Sequence, residues 1–190
     1  TLESRGLGDV YKRQDKSNVT RGCQLFRRTF DSVASNYPDI ATDYGYIDAF
    51  TQWLTRTPEH YDVVVTSNMF GDIATDLASV LQGGMGMAGS GNIGDEHAFF
   101  EPVHGSAPKY AGMNKVNPIA SVNSIQMMMD WLGRKDGNAE ILEIAKAIEQ
   151  SVSAHLSEGK HLTYDLGGNA SCSMVGDLIS QRLAKSLSER

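Results

Sequence analysis

Cysteine is scarce in this chain: Cys23 and Cys172 are the two in 190 residues. Two thiols build no disulfide framework and suit a reducing compartment. A basic excess is also missing. Lys plus Arg is 17 against 23 Asp plus Glu, a formal net charge of −6, which argues against a dedicated nucleic-acid binder. No apolar run approaches the ~18 residues of a membrane helix; the longest are Val63–Val65 and Met127–Met129. What is present suffices for a core. Hydrophobic residues make up 41% and aromatics 8%, which argues against a disordered chain. The composition predicts an acidic, globular, cytoplasmic protein with no nucleic-acid or membrane partner.

Residues 1–14 (TLESRGLGDVYKRQ) show no helical or strand periodicity that continues past Gln14. The string Asp9–Gln14 looks like the conceptual translation of a transposon end used in making DNA libraries. Residues 1–14 therefore read as a non-native scar, with native sequence beginning near Asp15 and more of it upstream; the alternative is a genuine flexible tail.

The rest reads as strands alternating with helices, an α/β class. Apolar positions Val19, Phe26, Phe30, Val33 and Ala34 predict a helix from Asn18 to about Tyr37, ended near Pro38. Ile40–Ile47 reads as a short strand and Asp48–Arg56 as a short helix. The β-branched run in Tyr61–Thr66 predicts a strand buried on both faces of a parallel sheet. Phe70–Leu81 is helical and stops at Gly83-Gly84. Residues 83–95 read as a Gly-rich loop with a short strand at Met85–Ala88. Glu101–Pro118 reads as a loop, and Ile119–Leu132, Ala139–Leu156 and Met174–Ser188 as helices.

Two constellations carry chemistry. In Asn68-Met69-Phe70-Gly71-Asp72-Ile73-Ala74-Thr75-Asp76, directly after the buried strand, Asp72 and Asp76 fall one helical turn apart. Such a pair offers hard oxygen ligands to Mg²⁺ or Mn²⁺; the alternative is a pair of dipole-complementing acids on a solvated face. The second is Phe100-Glu101-Pro102-Val103-His104-Gly105-Ser106-Ala107-Pro108-Lys109-Tyr110, with Asn117-Pro118 beyond it. Backbone N–H groups, a hydroxyl and a cation are nucleotide ligands; the alternative is an ordinary surface loop. Gly84-Met85-Gly86-Met87-Ala88-Gly89 matches Gly-x-Gly-x-x-Gly literally. A helix precedes it, no long helix comes after it, and Lys109 rather than an acid lies twenty residues on, so the match reads as chance. Lys16 could act as a base if its surroundings favoured the neutral amine, though most such lysines are plain surface residues.

Together these segments resemble the metal-dependent β-decarboxylating dehydrogenases, the isocitrate/isopropylmalate dehydrogenase family. The Asn-Met-Phe-Gly-Asp-Ile-x-Thr-Asp run with Gly83-Gly84-Met85-Gly86 matches the family signature, and Glu-Pro-Val-His-Gly-Ser-Ala-Pro matches its nucleotide loop. The chain looks like the carboxy-terminal half of such an enzyme. The resemblance implies an isopropylmalate dehydrogenase-like fold, three-layer α/β/α and non-Rossmann, incomplete at the N-terminus. Residues 15–82 would belong to the smaller, dimer-forming domain and 83–190 to the larger, cofactor-binding domain.

The implied activity is oxidative decarboxylation of a malate-type 2-hydroxy acid with hydride transfer to NAD(P). Lys16 matches the catalytic base. Asp72 and Asp76 match metal ligands, and Asp48 a third one donated across a homodimer with shared active sites. Glu101, His104, Gly105, Ser106, Ala107, Lys109, Tyr110, Val116, Asn117 and Tyr164 match the cofactor site. Lys109, Tyr110, Val116 and Tyr164 resemble the NADP-using members, because a cation and a phenol there meet a 2′-phosphate that a carboxylate would repel. An arginine expected four residues after Tyr164 is instead Gly168, as in NAD-using members; the balance favours NADP over NAD. The substrate stays open among isopropylmalate, isocitrate, homoisocitrate and tartrate/malate. The alternatives are a non-catalytic or regulatory subunit and an inactive truncated piece.

Overall fold

The computed structural model describes residues 10–189, which form two compact units, one ending at Leu81 and the other beginning at Gln82. Both mix helices with strands, as the α/β class requires.

The first unit is a parallel sheet with helical crossovers. Strand β1 (Val10–Asp15) leads to helix α1 (Arg21–Ala34), strand β2 (Ala41–Tyr46), helix α2 (Ile47–Arg56), strand β3 (Val63–Thr66) and helix α3 (Asn68–Ser79). The strand order is β2-β1-β3. β1 is central, pairing Lys12 with Asp43 on one side and with Val64 on the other. Thr20 caps α1 by accepting from the Cys23 N–H at 3.3 Å. The apolar core gathers Phe50 and Leu54 of α2 with Ala74 of α3, against Ile47, Tyr61, Val64 and Ala78. Phe50 and Tyr61 meet edge to face at 4.8 Å. Full burial of Phe50 or Leu54 contributes about 1.5–3 kcal/mol each.

The central strand is one that the sequence pattern does not predict. Val10–Gln14, part of the stretch set aside as a scar, forms most of β1; the remainder, 1–9, lies outside the described residues. The strand carries no apolar alternation, so periodicity could not reveal it. Its side chains Lys12, Arg13, Gln14 and Asp15 are each 5% exposed or less. Arg13 compensates with Asp15 at 2.9 Å and Asp31 of α1 at 3.1 Å, and its guanidinium lies over the Tyr44 ring at 4.9 Å. Such pairs offset the cost of burying charge without adding much stability.

The second unit is built differently. Strands β4 (Gly89–Ile93) and β5 (Ala98–Pro102) form an antiparallel hairpin, against which helix α4 (Ile119–Asp136) packs. Helices α5 (Ala139–Ser157) and α6 (Cys172–Ser188) complete it, with α4 against α5 and α5 against α6. Asn138 caps α5, accepting from the Glu140 and Ile141 N–H groups, and Gly137 ends α4 in the left-handed region. The core is one apolar cluster: Met87, Ile119, Val152, Ala170, Val175 and Ile179.

Two further expectations fail in this unit. Met85–Ala88 is not a strand: Met85–Met87 is a single 3₁₀ turn. The hairpin lies further on, in residues whose composition suggests mostly loop. Its β4 strand, Gly-Ser-Gly-Asn-Ile, holds two glycines and so lacks a strand-like composition. The predicted helices are present, with ends shifted by a few residues.

Candidate nucleotide cavity and acidic helix

The expected base and metal residues all lie in the first unit. Lys16 comes directly after β1, and its Nζ is 2.5 Å from Asp48 Oδ1 in the first turn of α2. The Lys16 ammonium, hydrogen-bonded to Asp48, holds that carboxyl below its ordinary value, helped by backbone N–H groups at the helix start. Asp72 and Asp76 stand one turn apart on α3, both exposed. They share the helix with exposed Met69 and Ile73, and exposed Val80 lies just past its end. Among the described residues, no group of three or more His, Cys, Asp or Glu side chains is arranged to hold a metal ion. The fold thus brings Lys16 to Asp48 and Asp72 near Asp76, but does not gather the three aspartates.

A cavity of about 620 Å³ also lies in the first unit, lined among others by Lys12, Asp43, Trp53, His60 and Tyr61. Lys12 donates to Asp43 and His60, both at 2.8 Å. No sequence motif points to any of these residues. Lys12 belongs to the segment 1–14.

The expected cofactor residues lie in the second unit, most of them around a cavity of about 500 Å³. His104, Gly105, Ser106, Ala107, Tyr110, Val116, Asn117 and Tyr164 all line it. Glu101 and Lys109 do not. Glu101 is exposed on β5 opposite Ser90. Lys109 sits in the 3₁₀ turn Pro108–Tyr110, its Nζ 4.8 Å from the Tyr110 ring centre. Ala107 opens that turn with φ +43°, a left-handed conformation uncommon outside glycine and frequent at ligand sites.

Polar bonds fix three segments around this cavity. Asn117, 6% exposed, donates through Nδ2 to Asp165 Oδ2 at 3.0 Å and accepts from the Ile119 N–H at 2.9 Å, at the start of α4. Thr163 donates to Asp165 Oδ1 at 2.5 Å. Gly86 fits because it lacks a side chain: a Cβ there would lie 2.6 Å from Asp165 Oδ2 and 2.9 Å from Asn117 Cβ.

Tyr110 and Tyr164 stack obliquely, ring centres 5.7 Å apart. Tyr164 hydrogen-bonds to Tyr110, and with the Lys109 ammonium this lowers the Tyr110 phenol; the same bond raises Tyr164. Lys115 stands over both rings, 4.6 Å from Tyr164 and 5.8 Å from Tyr110.

Sequence reasoning missed the Gly83–Gly86 wall and Asp165, all of which line the cavity. The Gly-x-Gly-x-x-Gly match indeed has no strand before it and no helix after it, since β4 comes next. Yet its first glycines border the cavity. Asp165 was findable as the neighbour of Tyr164.

Comparison with known proteins agrees with these observations. The isocitrate/isopropylmalate dehydrogenase family profile matches residues 5–179. The chain belongs to that family. It is 43% identical over 173 residues to a 3-isopropylmalate dehydrogenase of Streptomyces coelicolor, covering 89% of this chain and 46% of that one. It is 43% identical to a homoisocitrate dehydrogenase of Methanocaldococcus jannaschii, covering 90% and 47%. Among solved structures, an isocitrate dehydrogenase from Methylococcus capsulatus superposes with a TM-score of 0.83 at 33% identity, covering 92% of this chain and 50% of that one. A β-decarboxylating dehydrogenase from Thermococcus kodakarensis superposes with a TM-score of 0.76 at 36% identity, covering 94% and 50%. The chain spans about half the length of the curated relatives it matches.

Proposed function

We propose that this chain is the cofactor-binding and base-bearing part of an NADP- and Mg²⁺-dependent dehydrogenase that oxidatively decarboxylates a malate-type 2-hydroxy acid. The second-unit cavity carries the reading: it gathers eight of the ten expected cofactor residues and sets two lysines beside its tyrosines.

The residues suit their groups. Ser106 and the glycine-rich segments 83–86 and 104–105 offer a hydroxyl and N–H groups to phosphates, and Lys109 with Tyr110 and Tyr164 suits a 2′-phosphate. Asp72 and Asp76 are exposed carboxylates of the hard-oxygen type that Mg²⁺ or Mn²⁺ prefers. When bound, the metal would supply Lewis-acid stabilisation of the charge that develops on losing CO₂, and the nicotinamide would supply hydride-accepting capacity. Lys16 would take the proton of the substrate hydroxyl.

A homodimer with shared sites belongs to the same reading. Met69, Ile73 and Val80 leave an apolar surface uncovered beside Asp72 and Asp76, where a second copy could bring Lys16 and Asp48. Among the described residues, no helix is long and apolar enough to cross a membrane, and we assign the protein to the cytoplasm. Residues 1–14 we read as foreign to the native sequence; the polar run Lys12–Gln14, buried in a central strand beside Val-Val-Val-Thr, supports that reading for the described part.

The test is calorimetric titration of the 190-residue chain with NADP⁺ and NAD⁺. NADP⁺ should bind about tenfold more tightly, one charge-assisted contact's worth of discrimination. Binding of neither nucleotide would refute the cofactor assignment.

A further inference from the structure

The cation arrangement beside Tyr110 and Tyr164 has an unexpected source. Lys109 reaches Tyr110 from the preceding residue, whereas Lys115 reaches both rings from the 111–118 loop. Neither lysine forms an ion pair with a carboxylate among the described residues. The acid next to Tyr164 in sequence is Asp165, and both its oxygens already accept hydrogen bonds, from Asn117 and Thr163. Two ammonium groups therefore stand by hydrogen-bonded phenols with no carboxylate to neutralise them. That charge is available to an anion.

The segment after Tyr164 cannot supply a cation at position 168. A Cβ on Gly168 would lie 2.0 Å from the Leu162 carbonyl oxygen and 2.6 Å from its carbon. Both are backbone atoms, so no rotamer change relieves the clash. The turn is also held by its own hydrogen bonds, Gly168 N–H to Thr163 O at 3.0 Å and Ala170 N–H to Leu162 O at 2.9 Å.

We propose that Lys115 is a specificity-determining residue, the second cation for a 2′-phosphate on the adenosine ribose, supplied by the 111–118 loop while Gly168 admits no side chain. This rests on the NADP reading of the cavity and adds to it a residue that the family resemblance did not point to. Lys115 clamps the phosphate from the Tyr164 side and Lys109 from the Tyr110 side, so that a phosphomonoester dianion meets two point charges. An unphosphorylated ribose gains nothing from Lys115.

The test is equilibrium binding of 2′,5′-ADP and of 5′-AMP to the 190-residue chain by isothermal titration calorimetry, with Lys115→Gln, Lys115→Arg and Lys109→Gln beside the parent. Far-UV circular dichroism checks that each variant is folded; Lys115 is exposed and its loss removes no core contact. Lys115→Gln should weaken 2′,5′-ADP about tenfold and leave 5′-AMP unchanged, and Lys115→Arg should restore most of the loss. A loss with Lys109→Gln but none with Lys115→Gln overturns the Lys115 assignment and leaves the NADP reading standing. Equal weakening of both nucleotides by Lys115→Gln also overturns it, because the 2′-phosphate is then not what the lysine reads. A parent chain that binds both nucleotides equally overturns the NADP reading, and the role of Lys115 with it.

Discussion

The two units of this chain are held together in opposite ways. In the second, Ile119, Val175, Ile179 and Val152 meet in one apolar cluster, each 5% exposed or less. In the first, the central strand buries Lys12, Arg13, Gln14 and Asp15, and the apolar cluster lies apart on α2 and α3. One unit rests on apolar burial, which needs only shape and volume. The other depends on buried charges whose value is mostly the damage done by removing a partner. The difference shows where local sequence and fold agree and where they conflict. It also separates the proposed chemistry: the proposed cofactor residues lie in the second unit, and the proposed base and metal residues in the first.

The largest effect that would sharpen this comparison is at Arg13. Arg13→Ala strands Asp15 among buried groups and should cost about 3–5 kcal/mol of first-unit stability. Arg13→Met combined with Lys12→Val and Asp15→Asn should be neutral or stabilising. Urea unfolding monitored by tryptophan fluorescence in a Trp131→Phe background, which leaves Trp53 of the first unit as the reporter, reads both. If Arg13→Ala costs no more than an exposed substitution, the strand is not held by those pairs.

A smaller effect concerns the second unit, whose apolar packing contains one misfit. His155 on α5 is 1% exposed, and its Nε2 has no partner among the described residues. Burial, then the nearby Arg182 charge, lowers its pKa from 6.5. The sign comes from linkage. The unfolded chain takes up a proton near pH 6.5 while the folded unit resists it. The His155 contribution is therefore full above that value and is lost as pH falls toward the lower folded value. His155→Leu should remove that acid sensitivity and leave the neutral-pH melting temperature unchanged or raised. An unchanged pH profile would assign the sensitivity to other groups.

The smallest effect is at Asp43 in the first unit. Its carboxyl is lowered chiefly by the hydrogen bond from Lys12, and its own side chain is 57% exposed. Solvent screening limits the pair to about 1 kcal/mol or less. Its contribution is present above the ordinary carboxyl value of 3.8 and is lost as pH falls through the lower folded value. Asp43→Asn should thus lower neutral-pH stability slightly and flatten the acid limb.

The same contrast explains what could be read without coordinates. The helices α2, α3, α5 and α6 carry their own signal in the spacing of apolar residues, and α5 adds an Asn cap at its start. The run Val63–Thr66 was legible as a parallel strand because it is β-branched throughout, but the expected burial on both faces fails: β3 is an edge strand among the described residues and all four of its residues are partly exposed. Strand β1 was not legible, since its buried side chains are polar and its ladders to β2 and β3 join segments distant in sequence. The β4–β5 hairpin was hidden by glycines at positions 89 and 91, which accommodate Ser124 of α4 and the Phe100 ring. In the cavity, residues in the nucleotide-loop motif were found from that motif. Gly83–Gly86 and Asp165, which also line it, were not, because their part depends on distant segments meeting, and such meetings leave no local pattern.

The proposed nucleotide site is built within the second unit alone. Hydrogen–deuterium exchange of the 190-residue chain, with and without saturating NADP⁺, checks this. Exchange should slow in segments 83–89, 104–117 and 163–168, with segment 16–81 unchanged. Protection confined to segment 16–81, or none anywhere under conditions where NADP⁺ binds, would contradict it.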